Sequence, residues 1–150
     1  LVLGGHGDTM VPMPSYTTVN DKSLEQLISE KKLTKEKLNS IIERTRKGGG
    51  EISKLFQKGT AFYAPATAGI EMAESYIKNQ KKTLPCAAHL NGEYGVKNLY
   101  AGVPVVIGNK GVEKIIELKL TQEEKNNFQI SIEAVKELFL TAQKIDSDLK

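Results

Sequence analysis

The residues best suited to chemistry are a histidine and the glycines that flank it. His6 lies in the run Gly4-Gly5-His6-Gly7-Asp8, near the start of the chain. Histidine titrates near neutral pH, so its imidazole can accept and donate a proton in a reversible reaction. Glycine neighbours add no side-chain bulk, which leaves the ring and the nearby backbone open to a substrate. The run favours general acid–base catalysis by His6, with an ordinary exposed loop histidine as the alternative.

Metal binding is the other chemistry that the residue types suggest. Cys86 and His89 have a Cys-x-x-His spacing. On a strand, however, residues three positions apart point to opposite faces, and two ligands fall short of a structural zinc site. We therefore predict no metal site.

The composition is that of an ordinary globular protein of about one domain, with 39% hydrophobic and 26% charged residues in a chain of 150. The 21 basic and 18 acidic residues nearly balance, so no nucleic-acid partner is predicted. No apolar run reaches the ~18–20 residues of a membrane span, and no signal-like segment opens the chain, so no membrane partner is predicted. The single cysteine fits a reducing compartment, which predicts a cytoplasmic protein.

The elements that must position His6 begin with a short strand. Residues 1–3 are apolar and end at a glycine pair, which predicts the end of a buried strand and a loop that carries His6. The chain opens without Met and passes directly from this strand into the glycine-rich loop. This beginning predicts a domain that the sequence enters midway.

Helical periodicity follows in three segments. Thr34 can cap a long helix whose apolar residues keep one phase across Gly48-Gly49-Gly50. We expect that helix to be kinked, or closely approached by other backbone, at the glycines. A second helix is predicted to begin near Pro65, with Ala66, Ile70, Ala73 and Ile77 on one face. The last opens with a Thr121-x-x-Glu124 capping box and is predicted to run to the end of the chain, burying a stripe that includes Phe139 and Ile145.

Three strand-like runs separate the second and last helices, at residues 84–90, 99–107 and 112–118. Asn91-Gly92 and Gly108-Asn109 supply turns between them, so an antiparallel meander is the economical arrangement. The predicted fold class is α+β, with long helices packed on this meander.

A family resemblance adds to this interpretation. The run Gly5-His6-Gly7-Asp8-Thr9-Met10-Val11-Pro12 resembles the active-site loop of the lactate/malate dehydrogenase family, and with Gly4 it resembles the form in the malate-specific members. Residues 44–49, 61–66, 84–88 and 102–105 also resemble family segments, in the family's order. The resemblance therefore covers nearly the whole chain.

The resemblance implies that residues 1–150 form the substrate-binding and catalytic domain of an NAD-dependent malate dehydrogenase. In that enzyme a hydride passes between C2 of malate and the nicotinamide ring of NAD. His6 would take the hydroxyl proton as malate is oxidised and return it as oxaloacetate is reduced. L-lactate or another 2-hydroxy acid stays open as the substrate, because the residue that discriminates between them lies in the missing half.

The resemblance also assigns the remaining site residues. Gly5, Thr60 and Ala61 are expected to contact the substrate, and Met10 and Pro65 the nicotinamide side of the cofactor. The small residues Thr60 and Ala61, however, equally suit the start of a helix.

The family's remaining machinery is absent from the sequence. No Gly-x-Gly-x-x-Gly turn follows a strand, and Arg44 and Arg46, the only arginines, match positions outside the motif that clamps substrate. We therefore expect an N-terminal Rossmann domain, missing from this chain, to bind most of NAD. The family builds oligomers partly through this domain, which predicts a homo-oligomeric full enzyme, a dimer or a tetramer. The alternative for the isolated chain is a non-catalytic oligomerisation module.

Overall fold

A computed structural model describes residues 1–149, which contain seven β-strands and five α-helices. The strands are β1 (Val2–Leu3), β2 (Val11–Pro12), β3 (Thr18–Val19), β4 (Lys22–Ser23), β5 (Lys82–Asn91), β6 (Lys97–Gly108) and β7 (Gly111–Ile115). The helices are α1 (Leu24–Ser29), α2 (Lys35–Arg46), α3 (Gly48–Phe56), α4 (Tyr63–Ile77) and α5 (Gln122–Ile145). This is the α+β class that the sequence predicted.

The predicted antiparallel meander is confirmed in strands β5, β6 and β7, which are hydrogen-bonded in that order. Cys86 of β5 pairs with Val103 of β6, and Val105 of β6 pairs with Ile115 of β7. The third strand ends at Ile115 rather than Leu118 because the backbone N–H of Leu118 donates to the hydroxyl of Tyr94 at 3.0 Å. After Ile115 the chain thus departs from the sheet and is hydrogen-bonded to the Tyr94 side chain instead.

The hydrophobic core lies between one face of this sheet and the first half of α5. Alternate residues of β6 are buried, as expected for a strand with one covered face. Phe128 and Ile132 of α5 pack against them, at 3% and 1% exposure. Farther along α5 the predicted stripe is wrong, because Phe139 and Ile145 lie beyond the core and are exposed. The helix also ends at Ile145, short of the chain end.

Helix caps follow the sequence closely. The hydroxyl of Thr121 accepts from the backbone N–H of Glu124, and the Glu124 carboxylate accepts from the backbone N–H of Thr121 at 3.0 Å. The predicted capping box is therefore confirmed. The Thr34 hydroxyl accepts from the backbone N–H of Lys37, which confirms the predicted cap of α2.

The helix predicted to pass through the three glycines is broken there. Helix α2 ends at Arg46 and α3 begins at Gly48, with Lys47 between them at φ −92° and ψ 1°. Within the described residues, and apart from the neighbouring residues and backbone of the same helix, no atom would lie within 4 Å of a Cβ placed on any of the three glycines. The kink is therefore confirmed and the close backbone approach is not found in residues 1–149.

Helix α4 begins at Tyr63, two residues before the predicted start at Pro65, and its predicted face is wrong. Ile70 and Ile77 are 68% and 77% exposed, and the buried residue of this helix is Ser75. The Ser75 hydroxyl donates to the carbonyl of Ile107 at 2.7 Å, so a polar contact joins α4 to the end of β6. Among the described helices, none combines the length and apolarity needed to cross a membrane.

Candidate active site

His6 lies at the tip of a short hairpin. Strands β1 and β2 pair antiparallel, and a turn of 3-10 helix over Gly7–Thr9 connects them. His6 precedes this turn with extended backbone and an exposed side chain. The backbone N–H of Met10 donates to the carbonyl of Gly7 at 3.0 Å and closes the turn. The imidazole therefore faces solvent from a closed loop.

The hairpin is joined to the sheet immediately before His6. Gly4 and Gly102 of β6 exchange two backbone hydrogen bonds, with N···O distances of 2.8 and 2.7 Å. A Cβ on Gly102 would lie only 2.8 Å from the carbonyl oxygen of Gly4, so this approach requires a glycine. The central strand of the meander thus fixes the base of the His6 loop.

Helix α5 lies against the other side of the same loop. The backbone N–H of Gly5 donates to the hydroxyl of Ser131 at 2.8 Å. A Cβ on Gly4 would lie 2.9 Å from the Ser131 Cβ, and one on Gly5 would lie 2.9 Å from a methyl of Val135. The sequence predicted that these glycines leave the histidine accessible; the structure adds that Gly4 and Gly5 let a helix pack against the loop.

A third anchor comes from α2. The Nε of Arg46 donates to the carbonyl of Met10 at 3.3 Å, and the same guanidinium forms an ion pair with Glu43. Neither contact has a local sequence signal, because Arg46 and Ser131 lie 36 and 126 positions from their loop partners. Only the fold brings them together.

A cavity of ≈ 550 Å³ lies in front of His6. Met10 and Thr60, predicted for cofactor and substrate, line this cavity together with the imidazole and with glycines of α3. The N–H of Gly5 donates to Ser131 and is therefore already engaged within the fold. Within residues 1–149, the other predicted site residues lie outside the lining: Gly5, Ala61 and Pro65.

Charged groups of both signs surround the cavity. Its basic lining residues are Arg46, Lys47 and Lys54, and its acidic ones are Asp8 and Glu51. Arg44 binds the Glu51 carboxylate through two hydrogen bonds, at 2.7 and 3.0 Å, and holds the pKa of that carboxyl below its ordinary value. Arg46 is likewise paired with Glu43, so Lys47 and Lys54 against Asp8 leave a small excess of positive charge at the cavity.

A second cavity is larger, at ≈ 640 Å³, and lies between α1, α2 and the start of α5. Its lining includes Ser15 and Glu124, which are hydrogen-bonded to each other, and it does not include His6. Carboxylates line the larger cavity but no histidine does, so we place the candidate chemistry in the smaller cavity, which the exposed imidazole borders.

The residues that line the His6 cavity suit the reacting end of a substrate rather than a whole dinucleotide. The three consecutive glycines form the first turn of α3 and follow α2, whereas a pyrophosphate-binding turn lies between a strand and a helix. Nor do the described residues gather three metal-ligating side chains at one place. Cys86 is buried and His89 is exposed on the opposite face of β5, as the strand period predicted.

The comparisons with known proteins agree with this geometry. Residues 1–144 match the family model described as lactate/malate dehydrogenase, alpha/beta C-terminal domain. The chain therefore belongs to the lactate/malate dehydrogenase family and corresponds to the C-terminal domain of that family. Among curated proteins, it is 58% identical to a malate dehydrogenase of Pelagibacter ubique (strain HTCC1062) over 149 residues, which are 99% of this chain and 47% of that protein.

Two solved structures extend the comparison. A malate dehydrogenase from Salinibacter ruber is 42% identical with a TM-score of 0.90, over 100% of this chain and 47% of that one. A lactate dehydrogenase from Eimeria maxima, solved with NADH and oxamate, is 44% identical with a TM-score of 0.93, over 97% and 46%. The chain spans about half the length of the relatives that it matches.

Proposed function

We propose that this chain is the substrate-binding and catalytic half of an NAD-dependent malate dehydrogenase. The observation that carries the proposal is the placement of His6. Its exposed imidazole borders a cavity, while the loop beneath it is held by β6, α5 and α2. The curated relative named malate dehydrogenase supports malate as the substrate, because it is 58% identical to this chain.

His6 is the proton carrier of the proposed reaction. As malate is oxidised, the imidazole takes the proton of the C2 hydroxyl, and it returns that proton to the carbonyl oxygen as oxaloacetate is reduced. Bound NAD supplies the acceptor for the hydride that leaves C2. Because the reaction runs both ways, the group must exchange a proton readily near neutral pH, which histidine does.

The basic side chains around the cavity suit a substrate with two carboxylates. Lys47 and Lys54 raise the positive potential near His6, and such a field concentrates anions in a cleft. Thr60 lines the cavity and would contact the substrate. Gly5 and Ala61, which belong to the family-like motifs around His6 and Pro65, would contact it as well. Small side chains at these positions leave room for the second carboxylate arm of malate.

Most of the cofactor site lies outside this chain in our proposal. Met10, in the cavity lining, and Pro65, exposed near the start of α4, would contact the nicotinamide side. A Rossmann domain N-terminal to Leu1 would bind the remainder of NAD and supply the arginines that hold the substrate carboxylate. The isolated chain is then expected to be nearly inactive, because catalysis depends on holding both reactants in register.

The test joins this chain to the nucleotide-binding half of the Pelagibacter ubique malate dehydrogenase and follows NADH formation with malate, L-lactate and other 2-hydroxy acids. We expect malate to be preferred. His6→Asn should lower kcat by roughly 10²–10⁴-fold, the usual contribution of general acid–base catalysis. An active His6→Asn enzyme would refute the proposed role.

The matched control is the other histidine of the chain, His89, on the exposed face of β5. His89→Asn should leave kcat and KM within about twofold, since that ring packs against Tyr100 and is not among the residues that line the His6 cavity. A hybrid that prefers L-lactate would move the proposal to a different 2-hydroxy acid.

The exposed apolar side chains favour a second role, in homo-oligomer assembly. Ile70 and Ile77 on α4 and Leu138 on α5 are each at least two-thirds exposed. Surfaces of this kind commonly mark protein interfaces, so we propose that the full enzyme is a dimer or a tetramer. Sedimentation velocity of the hybrid at several concentrations tests this, and a strictly monomeric active enzyme would contradict it.

We also propose the cytoplasm as the compartment. The chain has one cysteine, and its thiol is free and buried, which suits a reducing environment. Fractionation of cells that express the full-length protein tests the proposal, and recovery from a membrane or secreted fraction would overturn it.

A further inference from the structure

A buried serine lies beneath the loop that carries His6. Ser131 lies in the middle of α5 and is 1% exposed. Its hydroxyl oxygen accepts from the N–H of Gly5, the residue that precedes His6, at 2.8 Å. The bond therefore forms away from bulk solvent, where a hydrogen bond is electrostatically stronger than in water.

The contact extends over two residues of the loop. A Cβ on Gly4 would meet Ser131, and one on Gly5 would meet Val135, one helical turn farther along α5. The backbone before His6 therefore lies flat on the helix, with the Ser131 hydroxyl as its polar attachment. The Gly4–Gly102 bridge fixes the loop one residue earlier, which leaves Gly5 as the last backbone group held before the imidazole.

We propose that Ser131 is a positioning residue for His6, an inference that rests on the proposed function. The hydroxyl fixes the Gly5 peptide, and through it the direction in which the imidazole points. Proton transfer needs the ring within hydrogen-bond reach of the substrate hydroxyl, and a misplacement of about 1 Å can slow an enzyme by ~10²-fold. Loss of this bond should therefore act on the chemical step more than on substrate binding.

The experiment compares Ser131→Ala with Ser75→Ala. Both serines are buried, at 1% and 0% exposure, but Ser75 bonds the carbonyl of Ile107 instead of the loop. Both variants lose a buried hydroxyl, but Ser75→Ala loses two hydrogen bonds and Ser131→Ala one, so a general loss of stability should affect Ser75→Ala at least as much. An effect confined to Ser131→Ala separates positioning from stability.

The first readout is kinetic, in the hybrid enzyme that tests the proposed function. Ser131→Ala should lower kcat for malate by about 10- to 100-fold with KM within about threefold, while Ser75→Ala keeps kcat within about twofold at a temperature where both are folded. If Ser131→Ala retains the parent kcat while His6→Asn is inactive, the positioning role is wrong and the proposed function stands.

The second readout needs no activity and uses the chain itself. Amide hydrogen exchange at Gly5, measured by NMR, should accelerate at least about tenfold in Ser131→Ala and stay near the parent rate in Ser75→Ala. An unchanged Gly5 rate in Ser131→Ala would overturn the anchoring role even if the hybrid were inactive. Failure of the positioning proposal and failure of the proposed function therefore give different results.

Discussion

Gly4 and Gly102 exchange both of their backbone hydrogen bonds, although 98 positions separate them in the sequence. Gly4 comes from the hairpin that carries His6, and Gly102 from the centre of β6. The bridge joins the His6 loop to the most buried strand of the domain. Changes at this contact should therefore affect both the stability of the domain and the placement of the histidine.

Gly102→Ala should weaken this junction. The added Cβ would lie 2.8 Å from the Gly4 carbonyl oxygen, and backbone on both sides cannot move away without breaking the bridge. We expect a destabilisation of about 1–3 kcal/mol, the usual cost of overpacking, measured by urea unfolding.

The control for that substitution is Gly69→Ala in the interior of α4. There a Cβ would meet no other atom within 4 Å among the described residues, and alanine is the better helix former. Gly69→Ala should stabilise the chain by about 0.4–1 kcal/mol. Equal effects of the two substitutions would show that the close approach at Gly102 does not matter.

The sequence could predict the elements whose signals are local. Thr121 and Glu124 lie three positions apart, and alternation and turn residues mark the strands, so the capping box and the meander were predictable. The sequence could predict a kink near Lys47 but not two separate helices. A single irregular residue hardly changes the helical spacing of the apolar residues on either side of it.

Contacts between distant segments were not predictable. Ser131 and Arg46 carry no local signal for the loop that they hold, and their roles follow only from the packing of α5 and α2. The apolar residues of α4 gave a wrong prediction for a related reason. Periodicity finds an apolar face but does not say what covers it, and Ile70 and Ile77 are exposed in this chain.

The Ser75 contact predicts a stability effect remote from the His6 cavity. Its hydroxyl donates to the Ile107 carbonyl at 2.7 Å and accepts from the Lys82 backbone N–H at 3.2 Å. Ser75→Ala leaves both groups without that partner in a buried position, which should cost about 1–3 kcal/mol in the free energy of unfolding. Thr67→Ala on the exposed side of α4 should change it by less than about 0.5 kcal/mol. Comparable losses in both variants would contradict this account.

Cys86 should react slowly in the folded chain. Burial, assisted by the negative charge of Glu71, raises the pKa of its thiol, so little thiolate forms near neutral pH. We expect the rate with a disulfide reagent to be at least about tenfold lower in the native chain than in urea. As a control, a variant that combines Cys86→Ala with Ala87→Cys moves the thiol to the exposed face of β5 and should react quickly. A rapid native reaction of Cys86 would contradict the observed burial.

Glu124 should make stability depend on pH. Burial raises the pKa of its carboxyl, but hydrogen bonds from Ser15 and Thr121 outweigh that effect and leave the pKa below its ordinary value. The ionised carboxylate therefore stabilises the fold above the unfolded pKa, and this contribution is lost as pH falls through the lower pKa of the folded state.

Glu124→Gln retains a side chain suited to the capping box but has no charge to titrate. We expect this variant to be less stable than the parent near pH 7 and the difference to shrink as pH approaches about 3, measured by thermal unfolding. Because every other acid is common to both proteins, a difference that stayed constant over that range would exclude Glu124 as a source of the pH dependence.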